Sequence, residues 1–166
     1  MDLYLIISLG LLTGCILGLS WFAGSDAPYV PTKMKLIRDV LKAAGLKKNK
    51  VFYELGSGDG RVVFEAAKMG AQSFGVEQSW LRVWFSRLKA RQDKLKLANF
   101  FHGNIFDRKY FPADVVYIYL LPQGIARLEK KLPKELKPGA TIITQTYHFK
   151  GIPPFKKIDN FWIYRI

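Results

Sequence analysis

Cysteine and histidine are scarce in this chain. Cys15 is the sole cysteine, and His102 and His148 are the two histidines. One thiol excludes an intramolecular disulfide and any zinc cluster built on cysteine. Two histidines, with neither HExxH nor EF-hand spacing around them, point to no metal site. Acidic residues are half as numerous as basic ones, 13 against 26. The first 32 residues contain Asp2 and Asp26 and no lysine or arginine, so all 26 basic groups fall after them, with 11 acidic ones. A surplus of that size suits nucleic acid, anionic lipid or an acidic protein, and does not choose among them. Repeats and low-complexity tracts are absent. The 166 residues, 49% of them hydrophobic, fit one globular domain with an ordinary core.

Charge is missing altogether from Leu3 to Ser25. That run is long enough for a hydrocarbon core of about 30 Å, and Trp21 and Phe22 sit at its end. A transmembrane helix over 3–25 is therefore expected. A cleaved signal peptide is the rival, opposed by an n-region without Lys or Arg and by the length of the apolar run. Lys33, Lys35, Arg38 and Lys42 follow, so the positive-inside rule places the N-terminus outside and the rest in the cytoplasm. Gly10, Gly14 and Gly18 form a small-residue face. Residues 26–50 read as a proline-stiffened linker, Ala27–Thr32, and an amphipathic helix, Lys33–Ala44, capped by Thr32. Residues 51–166 read as the main globular domain.

The centre of the chain is Val51–Arg61, VFYELGSGDGR. A buried strand ends at Glu54, Gly56, Gly58 and Gly60 alternate, and Arg61–Lys68 reads as a helix. Glycines allow positive φ and close approach of a ligand. The spacing is not the G-x-G-x-x-G of dinucleotide sites, and Glu54 before the turn would repel phosphate. It suits a positively charged ligand, an ammonium or a sulfonium. This is the pattern of S-adenosylmethionine-dependent methyltransferases with the Rossmann-like α/β fold, here in seven strands and trimmed.

Further strands are read at Gln72–Glu77, Asn99–His102, Asp114–Leu120 and Ala140–Tyr147, with a closing hairpin of Lys156–Ile158 and Phe161–Tyr164. Parallel strands present their ligands at their carboxyl ends. Glu77 is placed there to accept ribose hydroxyls, and Asn104 and Ile105 to meet the adenine. Thr32, Glu54, Gly56, Ser57, Gly58 and Gly60 would hold the methionine part. Ser79 would cap a helix to about Leu97, with Leu81, Phe85, Leu88 and Leu95 as its buried stripe. Gln123–Leu136 reads as a helix kinked or split at Pro133.

Pro28-Tyr29-Val30-Pro31-Thr32, Glu54–Arg61, Gly75-Val76-Glu77, Tyr119-Leu120-Leu121-Pro122 and Leu136-Lys137-Pro138-Gly139 carry a resemblance. The chain is similar to the membrane-anchored protein-lysine methyltransferases that act on the ATP synthase c-subunit and the adenine nucleotide translocase, and to their archaeal broad-specificity relatives. The resemblance covers 27–166 and, for anchored members, the N-terminal helix. Glu54 stands where the family usually has Asp, and Asn104 where many methyltransferases have Asp.

The resemblance implies S-adenosylmethionine as cofactor and methyl transfer to a lysine of a membrane or membrane-associated protein. The bilayer would be a further partner through the N-terminal helix. Tyr119, Leu120, Leu121 and Tyr147 are expected to wall the acceptor pocket, with no general base. RNA or DNA as acceptor is disfavoured, because Tyr119–Pro122 replaces the N/D-P-P-Y/F strand end of enzymes that methylate base amino groups. A small-molecule or lipid acceptor, and a non-catalytic cofactor-binding role, are the other readings.

Overall fold

The structure is a computed structural model that describes residues 3–22, 32 and 34–166, with side chains in the first helix described for residues 3–16 and 18. That helix, α1, spans Leu3–Phe22. Among the described residues no helix is long and apolar enough to cross a membrane. The expected transmembrane helix, and with it the single-pass placement, is thereby overturned. The linker Ala27–Pro31, and with it most of the PYVPT stretch, lies outside the described residues.

The expected helix Lys33–Ala44 begins instead as a 3-10 turn, Met34–Leu36, and becomes α2 at Ile37–Ala43. Thr32 does not cap it; the residue at the cap position is Leu36, with no side-chain bond. Ile37, Val40 and Leu41 are buried as the helical spacing requires, and Arg38 Nε donates to Glu65 Oε1 at 2.5 Å.

Seven strands follow: β1 Val51–Leu55, β2 Gln72–Glu77, β3 Ala98–His102, β4 Val115–Ile118, β5 Thr141–Gln145, β6 Lys156–Ile158 and β7 Phe161–Arg165. They form one sheet in the order β3-β2-β1-β4-β5-β7-β6. β1 to β5 are parallel and β7 is antiparallel to β5 and β6. The helices α3 (Arg61–Lys68), α4 (Trp80–Gln92) and α5 (Pro122–Glu135) are the crossovers. Strand alternation sends neighbouring residues to opposite faces. Tyr117 and Ile143 join one apolar layer, with Val63 and Phe100; Val116 and Ile142 join the other, with Leu128 and Tyr164.

α4 does not bury the stripe expected of it. Its inner face is Arg82, Val83, Ser86 and Ala90, while Phe85 and Leu88 are exposed together with Trp80 and Trp84. The small Ser86 fits beneath Gly60, where a larger side chain would not. Ser79 caps the helix by accepting the Arg82 N–H. α5 runs through Pro133 without a break. The proline lies in the final turns, where one lost backbone bond is outweighed by the buried Ile125, Leu128 and Leu132.

The strand order reverses between β1 and β4, and in an open parallel sheet a ligand crevice lies at that reversal. Leu55 is level with Val76 on one side and Ile118 on the other. The residues at and just beyond these strand ends therefore converge on one place.

Candidate functional site

One cavity of about 540 Å3 lies at the reversal. Thr32, Glu54, Gly56, Ser57, Gly58, Glu77, Asn104 and Ile105 line it, and so do Tyr119, Leu120, Leu121 and Tyr147. Of the residues singled out in the sequence, Gly60 alone is absent from the lining. It stands one step below, at the start of α3 with φ +79°, and a Cβ there would lie 2.6 Å from the Phe100 ring.

The loop carries few spare donors. Gly56 and Ser57 N–H both donate to Val76 O, and Gly60 N–H donates to Ser57 O. Gly58 N–H donates to Glu77 Oε2 at 2.9 Å. The α3 N-terminus is likewise occupied. Val63 N–H donates to Glu54 Oε2 at 3.2 Å, and Arg61 N–H to Asp59 Oδ1 at 3.3 Å. Two carboxylates thus sit where a pyrophosphate would bind. The turn supplies shape and negative charge, and phosphate is excluded.

Glu54 is almost fully buried. Burial pushes its carboxyl well above the usual range; the Val63 N–H opposes that, Asp59 and Glu77 add to it, and Arg61 opposes. A cation placed in the cavity would stabilise the charged form. Glu77 is also buried. Its Oε1 accepts Ser79 N–H at 2.9 Å and lies 3.8 Å from Arg82 Nη1. Each carboxylate oxygen keeps a second lone pair. Asp59 is clasped by Arg61, with Nη2 2.6 Å from Oδ2, and Arg61 Nη1 also donates to Thr32 O at 3.3 Å. Asp59 is thus a turn-bracing side chain. Ser57 Oγ is buried with no hydrogen-bond partner in the structure, in a residue that lines the cavity. The hydroxyl packs down toward Gly75 of β2, where a Cβ would lie 2.6 Å from it, so the residue borders the cavity by its backbone.

Past β3, Asn104 is exposed and turned back on its own loop, its Oδ1 accepting Phe106 N–H at 3.0 Å. Ile105 and Phe106 are half-buried beside it. Arg127 of α5 stacks on the Phe106 ring, Cζ 3.5 Å from its centroid. Sequence reading missed Arg82 and Arg127 as lining residues. Nothing in a single arginine on a helix marks it as facing inward.

The opposite wall is apolar. Tyr119 and Leu120 are half-buried, and Leu121 and Tyr147 are exposed at the rim. Neither histidine reaches the cavity: His102 is bonded to Gln78 O and His148 stacks on Trp162. Among the described residues no group of three or more potential metal ligands occurs.

Comparison with known proteins agrees with this geometry. The chain is 33% identical over 142 residues to the human ATP synthase c-subunit lysine N-methyltransferase, covering 82% of the chain and 60% of that protein's length. It is 33% identical over 130 residues to a protein-lysine N-methyltransferase of Saccharolobus islandicus (strain REY15A), covering 76% and 81%. Among solved structures, an RNA methyltransferase from Salinibacter ruber in complex with S-adenosyl-L-homocysteine superposes with a TM-score of 0.76 at 30% identity, covering 82% of this chain and 92% of that one. Residues 54–156, which include the glycine loop and most of the cavity wall, match the ANTKMT methyltransferase domain model, and the chain belongs to that family.

Proposed function

We propose that this protein is an S-adenosylmethionine-dependent protein-lysine N-methyltransferase. The observation that carries the reading is that one cavity joins an anionic, glycine-lined end to an apolar rim. The cofactor supplies a methyl group already activated by the sulfonium. Glu54 faces its positive charge, Thr32 and the Gly56–Gly58 backbone border its methionine part, and Glu77 receives its ribose. Ile105 and Phe106 pack against the adenine, with Asn104 at its edge.

The acceptor must attack as a neutral amine, whereas a free lysine has a pKa near ~10.4. Tyr119, Leu120, Leu121 and Tyr147 desolvate it and so favour the neutral form. In-line transfer then needs alignment rather than a strong base, and alignment is worth about 7–11 kcal/mol of barrier. The N–C bond forms as the C–S bond breaks, and the amine proton leaves to solvent.

The acceptor is proposed to be a lysine on a protein, with the ATP synthase c-subunit, which gives the human relative its name, the first to test. RNA is the second reading, favoured by the basic charge and by the likeness to the Salinibacter RNA methyltransferase. The strand end Tyr119–Pro122 weighs against it. The test is transfer of labelled methyl from S-adenosylmethionine into host extracts, split into protein, lipid and nucleic-acid fractions. Label recovered as methyl-lysine supports the reading. Label confined to RNA or lipid overturns the acceptor while leaving the cofactor site standing.

A further inference from the structure

The chain leaves β5 through a tight and strained turn. Tyr147 N–H donates to Gln145 O at 2.8 Å across Thr146, whose φ is +65°. This is a γ-turn with a positive central φ, a rare and strained form. A β-branched residue in that region is an outlier, and nothing in the sequence Gln-Thr-Tyr invites it. Strain of this kind persists where its surroundings over-determine it, and it gathers at functional sites.

Three braces hold the turn. Thr146 N–H donates to Asn160 O at 2.8 Å, and Asn160 Nδ2 donates to Thr146 Oγ1 at 3.3 Å. Asn160 sits in the β6–β7 hairpin beside Asp159, itself at φ +51°. From beneath, the buried Tyr117 hydroxyl donates to Gln145 Oε1 and lies 3.3 Å from Thr32 Oγ1. Thr146 and Tyr147 line the cavity, as does Thr32, but Asn160, Tyr117 and Gln145 do not.

We propose that the Gln145–Tyr147 turn is the element that positions the acceptor amine, with Asn160 and Tyr117 as positioning residues acting through it. An extended continuation of β5 would carry Tyr147 away along the strand. The turn instead keeps Tyr147 at the cavity rim with Leu120 and Leu121, which closes the apolar wall around an unbranched alkylamine. The same Tyr117 hydroxyl meets Thr32 on the cofactor side, so the two halves of the cavity share one buried support.

The inference rests on the lysine-acceptor reading, and its test separates the two. Isothermal titration compares S-adenosylhomocysteine with an analogue carrying a lysine-like aminoalkyl arm in place of the methyl group. In the wild type the arm is expected to tighten binding about tenfold. In Asn160→Ala that advantage falls below about threefold, while S-adenosylhomocysteine binds within about twofold of wild type. Asn160→Asp keeps an oxygen that can accept from the Thr146 hydroxyl, and restores it. Thr146→Gly removes the strain and the hydroxyl together, and loses the advantage as Asn160→Ala does. An arm advantage that survives in both Asn160→Ala and Thr146→Gly overturns the proposal alone. Equal loss of S-adenosylhomocysteine binding also overturns it, because the turn then serves the cofactor end. No arm advantage in the wild type overturns the lysine-acceptor reading and the proposal with it.

Discussion

Glu77 Oε2 accepts the Gly58 N–H at 2.9 Å. Through its other oxygen the same carboxylate holds the Ser79 N–H that opens α4. One side chain therefore fixes the tip of β2, the glycine loop and the start of a helix. Glu77→Gln keeps the shape but turns an amide NH2 toward one of the two backbone donors. A loss of about 1–3 kcal/mol is expected, read as a fall in Tm of about 2–4 °C per kcal/mol. Cofactor affinity should fall by more than this fold cost implies, because the loop and the proposed ribose contact go together. Thermal melts and titration calorimetry on one preparation check both.

If Glu54 faces the sulfonium as proposed, cofactor binding depends on pH. Burial raises its pKa in the free protein, whereas a bound sulfonium favours the carboxylate. Below the raised pKa, binding must first expel a proton. The Kd for S-adenosylmethionine is therefore expected to rise as pH falls, approaching about tenfold per unit. Glu54→Gln should bind weakly and lose that slope. The fold responds with the opposite sign. A raised folded-state pKa contributes stability that is full below the unfolded value and is lost as pH rises through the folded one. Glu54→Gln should therefore melt higher than wild type at alkaline pH. A Kd profile in wild type as flat as in Glu54→Gln would remove Glu54 from the cofactor site.

Much of this site was legible because its signals are local. The Glu54–Arg61 loop, the strand ends at Glu77 and Tyr119, and the hairpin at Asp159-Asn160 are each written in a few neighbouring residues. What stayed hidden depends on distant partners. Thr32 looks like a helix cap, yet its hydroxyl faces Tyr117, which lies 85 positions away in the sequence. Tyr117 sits in an apolar strand and reads as core, with no sign that its hydroxyl supports two walls of a cavity. In α4, hydrophobicity pointed to Phe85 and Leu88 as the inner face. Packing against Gly60 and Phe100 instead selected the small Ser86, and the Glu77 carboxylate drew Arg82 inward. The turn at Thr146 has no glycine, asparagine or proline to announce it. Its conformation is imposed by the neighbouring hairpin.

The two loop glycines on either side of Gly58 should fail differently. A Cβ at Gly60 meets the Phe100 ring at 2.6 Å, and φ is +79°. Strain of about 1–2 kcal/mol adds to overpacking of about 1–3 kcal/mol. Gly60→Ala should therefore lower Tm sharply. A Cβ at Gly56 meets Leu120 Cδ2 at 3.2 Å, and a leucine methyl can move. Gly56→Ala carries a similar φ penalty with little overpacking, but it displaces Leu120 of the proposed acceptor wall. Its kcat should drop more than its Tm suggests. Steady-state kinetics beside thermal melts separates the pair.

Asp114 makes the converse prediction, a stability effect without a binding effect. Its Oδ2 accepts Val51 N–H at 2.8 Å, and its Oδ1 lies 3.0 Å from Lys50 Nζ and 2.9 Å from Lys137 Nζ. Burial alone would raise its pKa, but the Val51 N–H and the two lysines together outweigh burial and hold it below the usual value. A depressed folded-state pKa contributes stability that is present above the unfolded value and is lost as pH falls through the folded one. Asp114→Asn should cost about 1–2 kcal/mol at neutral pH, the half-exposed lysines contributing modestly, and the gap from wild type should close in acid. The clamp grips the beginnings of β1 and β4, whereas the cavity lies at their far ends. Cofactor Kd at 25 °C should therefore match wild type. A weakened Kd with an unchanged Tm would contradict that separation of scaffold from site.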